Sequence, residues 1–147
     1  MWSLIPPFKD VNFDRLDSLM GNLTCKGYFV THRANLVAGP IRDAAWLTET
    51  WFQNYGVEYQ MGVVANHADR VAICQILNSD IHIEDDPKNF KNVNAAGIPC
   101  YLIDRPWNQD CKAGDKRIYN LDEFLDVVEK MANERRKEHE AQPERQD

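Results

Sequence analysis

The stretch Ile81-His82-Ile83-Glu84-Asp85-Asp86-Pro87-Lys88-Asn89-Phe90 decides how this chain is read. It is a short apolar strand that ends in three consecutive carboxylates and is stopped by a proline. Adjacent acids at a strand end repel one another, so a cation or a hydrogen-bond network must offset the charge. A divalent metal such as magnesium suits that role. Hard cations take oxygen ligands, and such ligands collect at the carboxyl ends of strands in open α/β sheets. Taken alone, the stretch fits a solvated acidic turn closed by Pro87 better.

Outward from this point, strands alternate with helices. Lys88 to Ala96 reads as a short helix, Gly97-Ile98-Pro99 as a turn, and Cys100 to Asp104 as a strand opening into Arg105-Pro106-Trp107-Asn108. Asn120 with Glu123 resembles a capping box for a helix whose apolar residues run from Leu121 to about Ala132. Before the central stretch, helical spacing covers Val11–Met20, Pro40–Tyr55 and Asp69–Leu77, and β-rich runs cover Gly27–Thr31 and Tyr59–Ala65. The pattern predicts an α/β fold: a three-layer, Rossmann-like, mainly parallel sheet of about four strands flanked by helices.

A chain of 147 residues with 44% hydrophobic content can bury one core, so a single domain over residues 1–132 is expected. Apolar residues almost vanish from Asn133 to Asp147, which predicts a frayed or disordered charged tail. The net charge of −6 argues against broad nucleic-acid binding, which needs a basic face. No apolar run approaches the length that spans a bilayer, and no leader pattern opens the chain, so a cytoplasmic protein is expected. Cys25, Cys74, Cys100 and Cys111 form no metal-ligand or CxxC spacing and read as reduced packing residues.

Several segments in order, Tyr28-Phe29-Val30-Thr31-His32-Arg33, Asp69-Arg70, Ile83-Glu84-Asp85-Asp86 and Tyr101 to Asn108, form a series. It resembles the haloacid dehalogenase-like phosphohydrolases, and within them the 5′(3′)-deoxyribonucleotidases. The resemblance runs from about Trp2 to Phe124 and implies a truncated form of that family's core. It implies a phosphate-binding group of Thr31, His32, Arg33 and Arg70, with Arg70 standing where the family carries a lysine. It implies magnesium ligands at Asp85 and Asp86, and candidate substrate or partner contacts at Trp107 and Asn108.

Each assignment has a plainer counterpart. Thr31 fits a strand-end threonine bonded to a neighbouring amide, Arg33 and Arg70 fit solvated surface positions, and His82 fits a packed strand histidine. Trp46, Trp51 and Phe52 fall at helical spacing and belong to a core, whereas Trp107 either packs its loop or meets a base.

The family's first motif, an apolar strand ending in Asp-x-Asp, supplies its nucleophile, and this sequence carries no such strand. The resemblance therefore implies a nucleotidase-like protein that binds phosphate, a nucleotide or a protein partner without phosphatase activity of its own. Two alternatives stay open: the carboxyl-terminal part of a split magnesium-dependent 5′-deoxyribonucleotidase completed by another chain, and a protein-binding inhibitor or adaptor. Magnesium is expected to bind weakly, because two carboxylates leave most of an octahedral shell to water.

In the resembled fold the first-motif strand lies between those of Thr31 and Asp85. Omitting it would leave two unpaired edges, so Gly27–Thr31 is expected to pair directly with Ile81–Asp86. A homo-oligomer, or a second polypeptide adding a strand, is the runner-up. Met1–Phe8 is a poor filler, since Pro6 and Pro7 cannot donate to a ladder.

Overall fold

The computed structural model describes residues 13–21, 25–32, 44–56, 60–64 and 70–141. Helices and strands alternate through α1 (Phe13–Gly21), β1 (Tyr28–His32), α2 (Ala44–Asn54), β2 (Gln60–Val64) and α3 (Arg70–Ile76). They continue through β3 (His82–Glu84), α4 (Pro87–Ala95), β4 (Cys100–Ile103), β5 (Arg117–Ile118) and α5 (Leu121–Glu140). Every described strand pairing is parallel, so the class is α/β with helices flanking a Rossmann-like core. No helix among the described residues is long and apolar enough to cross a membrane.

The strands make two sheets. β1 pairs with β2, from Tyr28 opposite Gln60 to His32 opposite Val64, and β3, β4 and β5 lie side by side in that order. This corrects the expected direct pairing of Gly27–Thr31 with Ile81–Asp86: among the described residues no ladder joins β1 to β3. The preference is topological. A strand-helix-strand crossover delivers a parallel neighbour, and β1, α2 and β2 form such a unit, so β1 finds its partner in β2. Met1–Phe8 lies outside the described residues. The short β5 is a further addition, reached through a 3-10 turn at Gly114–Lys116, and Asp104 N–H donates to Ile118 O at 2.7 Å beside it.

Two packed regions hold these sheets. In the carboxyl-terminal one, β4 alternates Cys100 and Leu102 inward against Phe90 and Val93 of α4 and Cys74 of α3, with Cys111 closing the cluster. Burying such side chains contributes on the order of 1.5–3 kcal/mol each for the larger ones. α4 starts sharply because Asp86 accepts from the N–H groups of Lys88 and Asn89 while Pro87 occupies the first turn. It ends at Gly97, whose positive φ of 84° lets Ile98 N–H return to Val93 O. In the amino-terminal region Phe29 of β1 stacks on Phe52 of α2 with ring centroids 4.3 Å apart, and Trp51 meets Phe13, Phe52 and Tyr55. Trp51 and Phe52 are thus packing residues, while the side chain of Trp46 lies outside the described set.

Charged contacts join the regions. Arg15 of α1 donates to the Asp122 carbonyl and reaches Asp122, Asp126 and Glu129 on successive turns of α5. The cap of α5 follows the sequence: Asn120 Oδ1 accepts from Glu123 N–H, and the Glu123 carboxylate accepts from Tyr119 N–H. The helix continues to Glu140, beyond the expected stop near Ala132. Glu, Arg and Lys are strong helix formers, and Arg135 fastens the extension to Asp80 at 2.7 Å. Residues 142–147 lie outside the described set.

Candidate functional site

The carboxyl ends of β1, β3 and β4 carry the residues singled out from the sequence. The three successive acids after Ile83 take three separate roles. Glu84 turns inward and is buried, with its Oε1 2.5 Å from Arg70 Nε and 3.2 Å from His82 Nε2. Asp86 caps α4, its Oδ1 accepting from Lys88 N–H at 2.7 Å and Asn89 N–H at 3.1 Å. Asp85 stands between them at the surface. Burial of its carboxyl, and then the Glu84 charge, raise its pKa above the ordinary carboxylate value. An ion pair to Arg70 therefore offsets the Glu84 charge and helix-capping hydrogen bonds that of Asp86.

Arg70 is the buried hinge of this arrangement. The first residue of α3, it is 7% exposed, and its Nη1 donates to Val30 O at 2.7 Å. Its Nε lies within ion-pair distance of Glu84, but the N–H is not aimed along a hydrogen bond. The side chain thus ties the middle of β1 to the end of β3. Thr31 and His32 are placed by their backbones, opposite Val63 and Val64; their side chains, and all of Arg33, lie outside the described residues.

Under this site the polar ring of His82 packs as the sequence suggests. Burial opposes its charge, but the Cys74 sulfur and Glu84 carboxylate beside it outweigh burial and raise its pKa to about 9. Burial pushes the neighbouring Cys100 thiol up to about 12, with Glu84 adding to the effect.

The loop after β4 is stitched to the end of β3 by Asn108, which is 2% exposed. Its Nδ2 donates to Asp85 O and Ile103 O, both at 2.9 Å, and its Oδ1 accepts from Arg105 N–H and Arg117 Nη1. Arg117 adds bonds to Asp104 Oδ1 at 2.7 Å and to the carbonyls of Asn108 and Cys111. Trp107, next in the chain to Asn108, is 65% exposed above this frame. Composition and spacing gave no sign that Arg117 belongs here, because its partners are loop carbonyls that only the folded turn gathers. Asn89 was likewise missed: it is buried in the first turn of α4, and its amide nitrogen has no partner among the described residues.

The acids fit a metal only partly. Asp86 Oδ1 is committed to the helix cap and Glu84 to Arg70, leaving Asp85 as the outward carboxylate of the three. Among the described residues no three His, Cys, Asp or Glu side chains converge on a common point. Magnesium bound here would be held by Asp85, with Asp86 beside it and water completing the shell.

Over 109 residues the chain is 28% identical to a nucleotidase of Clostridium acetobutylicum, a match that covers 71% of this chain and 51% of that protein. The chain thus spans about half the length of that relative. No protein-family model matches the chain. No solved structure matches it either. The parallel α/β architecture and the distant match together fit a nucleotidase-like fold.

Proposed function

We propose that this chain is a nucleotidase-like binding protein, taking phosphate or a nucleotide at the carboxyl ends of β1, β3 and β4 without hydrolysing it alone. The observation that supports the reading is the buried Val30–Arg70–Glu84 link, which ties the strand of Thr31 to the end of β3 in a chain distantly similar to a nucleotidase. Thr31, His32 and Arg33 supply hydroxyl and cationic groups for phosphate oxygens, Asp85 and Asp86 the acidic rim for magnesium, and exposed Trp107 an aromatic surface for a base. Arg70, spent on Val30 and Glu84, acts as a positioning residue beneath the phosphate. Covalent phosphoryl transfer requires a nucleophile held opposite the phosphorus, and the sequence has no strand ending in Asp-x-Asp to hold one.

The test incubates the purified chain with magnesium and a panel of deoxynucleoside monophosphates, measuring phosphate release and binding in parallel. Saturable binding without release is the expected result, and Asp85→Asn should weaken its magnesium dependence. Robust turnover by the chain alone would overturn the proposal, as would absence of binding by every monophosphate and by inorganic phosphate.

A further inference from the structure

The loop that follows β4 is held more tightly than its place at the surface requires. Asn108 N–H donates to Arg105 O and Cys111 N–H to Asn108 O, both at 3.1 Å, which folds residues 105–111 into consecutive turns. Both hydrogens of the Asn108 amide are used, on Asp85 O and Ile103 O. Both of the Gln109 amide are used as well, on Asp104 Oδ1 at 3.0 Å and Arg105 O at 2.7 Å. Arg117 of β5 adds bonds to the carbonyls of Asn108 and Cys111, and Cys111 anchors the far end of the loop in the core. In the middle of this frame stands Trp107, 65% exposed. Among the described residues its indole has no ring partner, whereas Trp51 meets Phe13, Phe52 and Tyr55.

A lone exposed apolar side chain needs no explanation by itself. Here the bonds that hold the loop still also tie it to the backbone of Asp85, the outward carboxylate of the site. A ring already held in place stacks on a planar ligand without first losing conformational freedom. Stacking responds to the area of a base, whereas hydrogen bonds read its edge. For an edge this loop has little to offer. Pro106 carries no polar side chain, and the amide hydrogens of Asn108 and Gln109 are spent. The indole N–H lies in the plane of its own ring and points away from a base on its face.

We propose, resting on the phosphate reading of this same site, that its ligands are nucleoside monophosphates selected by the area of the base rather than by its edge. Trp107 is the specificity-determining contact: it stacks on the base, while Asn108, Gln109 and Arg117 hold its loop in place. A purine presents two fused rings and a pyrimidine one, so purine nucleotides bind more tightly. Adenine and guanine are not distinguished, because no side-chain donor of residues 106–109 is left to meet their different edges. Phosphates that carry no base bind weakly.

The experiment uses the full chain with magnesium and measures equilibrium binding by calorimetry for the parent, Trp107→Ala and Trp107→Phe. The ligands are dAMP, dGMP, dCMP, dTMP, deoxyribose phosphate and inorganic phosphate. The expected order of affinity is dAMP and dGMP alike, then dTMP and dCMP, then deoxyribose phosphate. Trp107→Ala should weaken the purine nucleotides by about tenfold or more, the loss of one base stack, and leave deoxyribose phosphate unchanged. Trp107→Phe should keep part of the gain, which separates a lost ring from a disturbed loop. If Trp107→Ala does not fold, the ligand series on the parent and on Trp107→Phe decides. Equal affinity for dAMP and deoxyribose phosphate, or an unchanged dAMP affinity in Trp107→Ala, would overturn stacking selection while phosphate binding stands. So would a gap above about tenfold between dAMP and dGMP, the size that edge-reading bonds give. Failure of every phosphate, inorganic phosphate included, to bind the parent would overturn it together with the reading on which it rests.

Discussion

Replacing Arg70 by methionine should be among the most damaging single changes in this protein. The Arg70 and Glu84 side chains are 8% and 5% exposed, so removal of the guanidinium leaves a buried carboxylate with only His82 paired to it among the described residues. Breaking a buried pair from one side costs about 3–5 kcal/mol, a sum that here includes the Val30 carbonyl left without its 2.7 Å donor. That is a large part of the roughly 5–15 kcal/mol that holds a typical domain together, and it should lower Tm by about 10–20 °C. The companion experiment replaces both members, Arg70→Met with Glu84→Leu. A buried pair exchanged for apolar groups of similar size is often neutral, so the double variant should lie within about 1–2 kcal/mol of the parent. Arg70→Lys should fall between, since one ammonium cannot serve Val30 and Glu84 in the geometry of a planar fork. Urea unfolding followed by circular dichroism gives the three values, provided the slope with denaturant is unchanged. An Arg70→Met cost below about 1 kcal/mol, or a double variant as unstable as the sum of the singles, would refute the view that this pair fastens β1 to β3.

Three more perturbations follow from the same geometry. The pKa of His82 is raised from 6.5 to about 9 in the fold, so its contribution is complete below pH 6.5 and is lost as pH rises toward 9. Stability should therefore decline across that window by up to about 3 kcal/mol, and His82→Gln should flatten the pH profile in a denaturant titration. Asn108→Ala strands the Asp85 and Ile103 carbonyls and takes one acceptor from Arg117, so it should cost about 2–4 kcal/mol in thermal or urea unfolding. The adjacent acids should respond oppositely. Asp86→Ala loses the α4 cap at about 1 kcal/mol, whereas Asp85→Asn should be neutral or stabilising at pH 7, with any gain vanishing in acid as Asp85 protonates; a loss above about 1 kcal/mol for Asp85→Asn would count against this.

The elements themselves were legible because each rests on local signals. Asp86-Pro87 and Asn120 with Glu123 are capping chemistry within one turn, and Cys100 to Ile103 alternates buried and half-buried as a strand must. The extra turns of α5 were misjudged from composition: loss of apolar residues says that a helix has no face to bury, but charged helix formers continue it while one end is anchored, here by Arg135 on Asp80. The meeting of Asp85 and Asn108 follows from β3 and β4 being parallel neighbours, whose carboxyl ends lie together.

What only the tertiary structure decided is how charge and edges are settled. Three identical-looking acids in a row divide into a buried ion-pair partner, an exposed carboxylate and a helix cap, because strand alternation turns neighbours to different sides. Arg70 lies 40 positions after Val30 and 14 before Glu84, spacings that no periodic rule connects: it meets both only in the folded chain. The pairing of β1 with β2 likewise depends on the strand-helix-strand crossover that lays them side by side. A sequence specifies period and termini over a few residues, whereas partners distant along the chain are chosen by the burial and hydrogen bonding of the assembled whole.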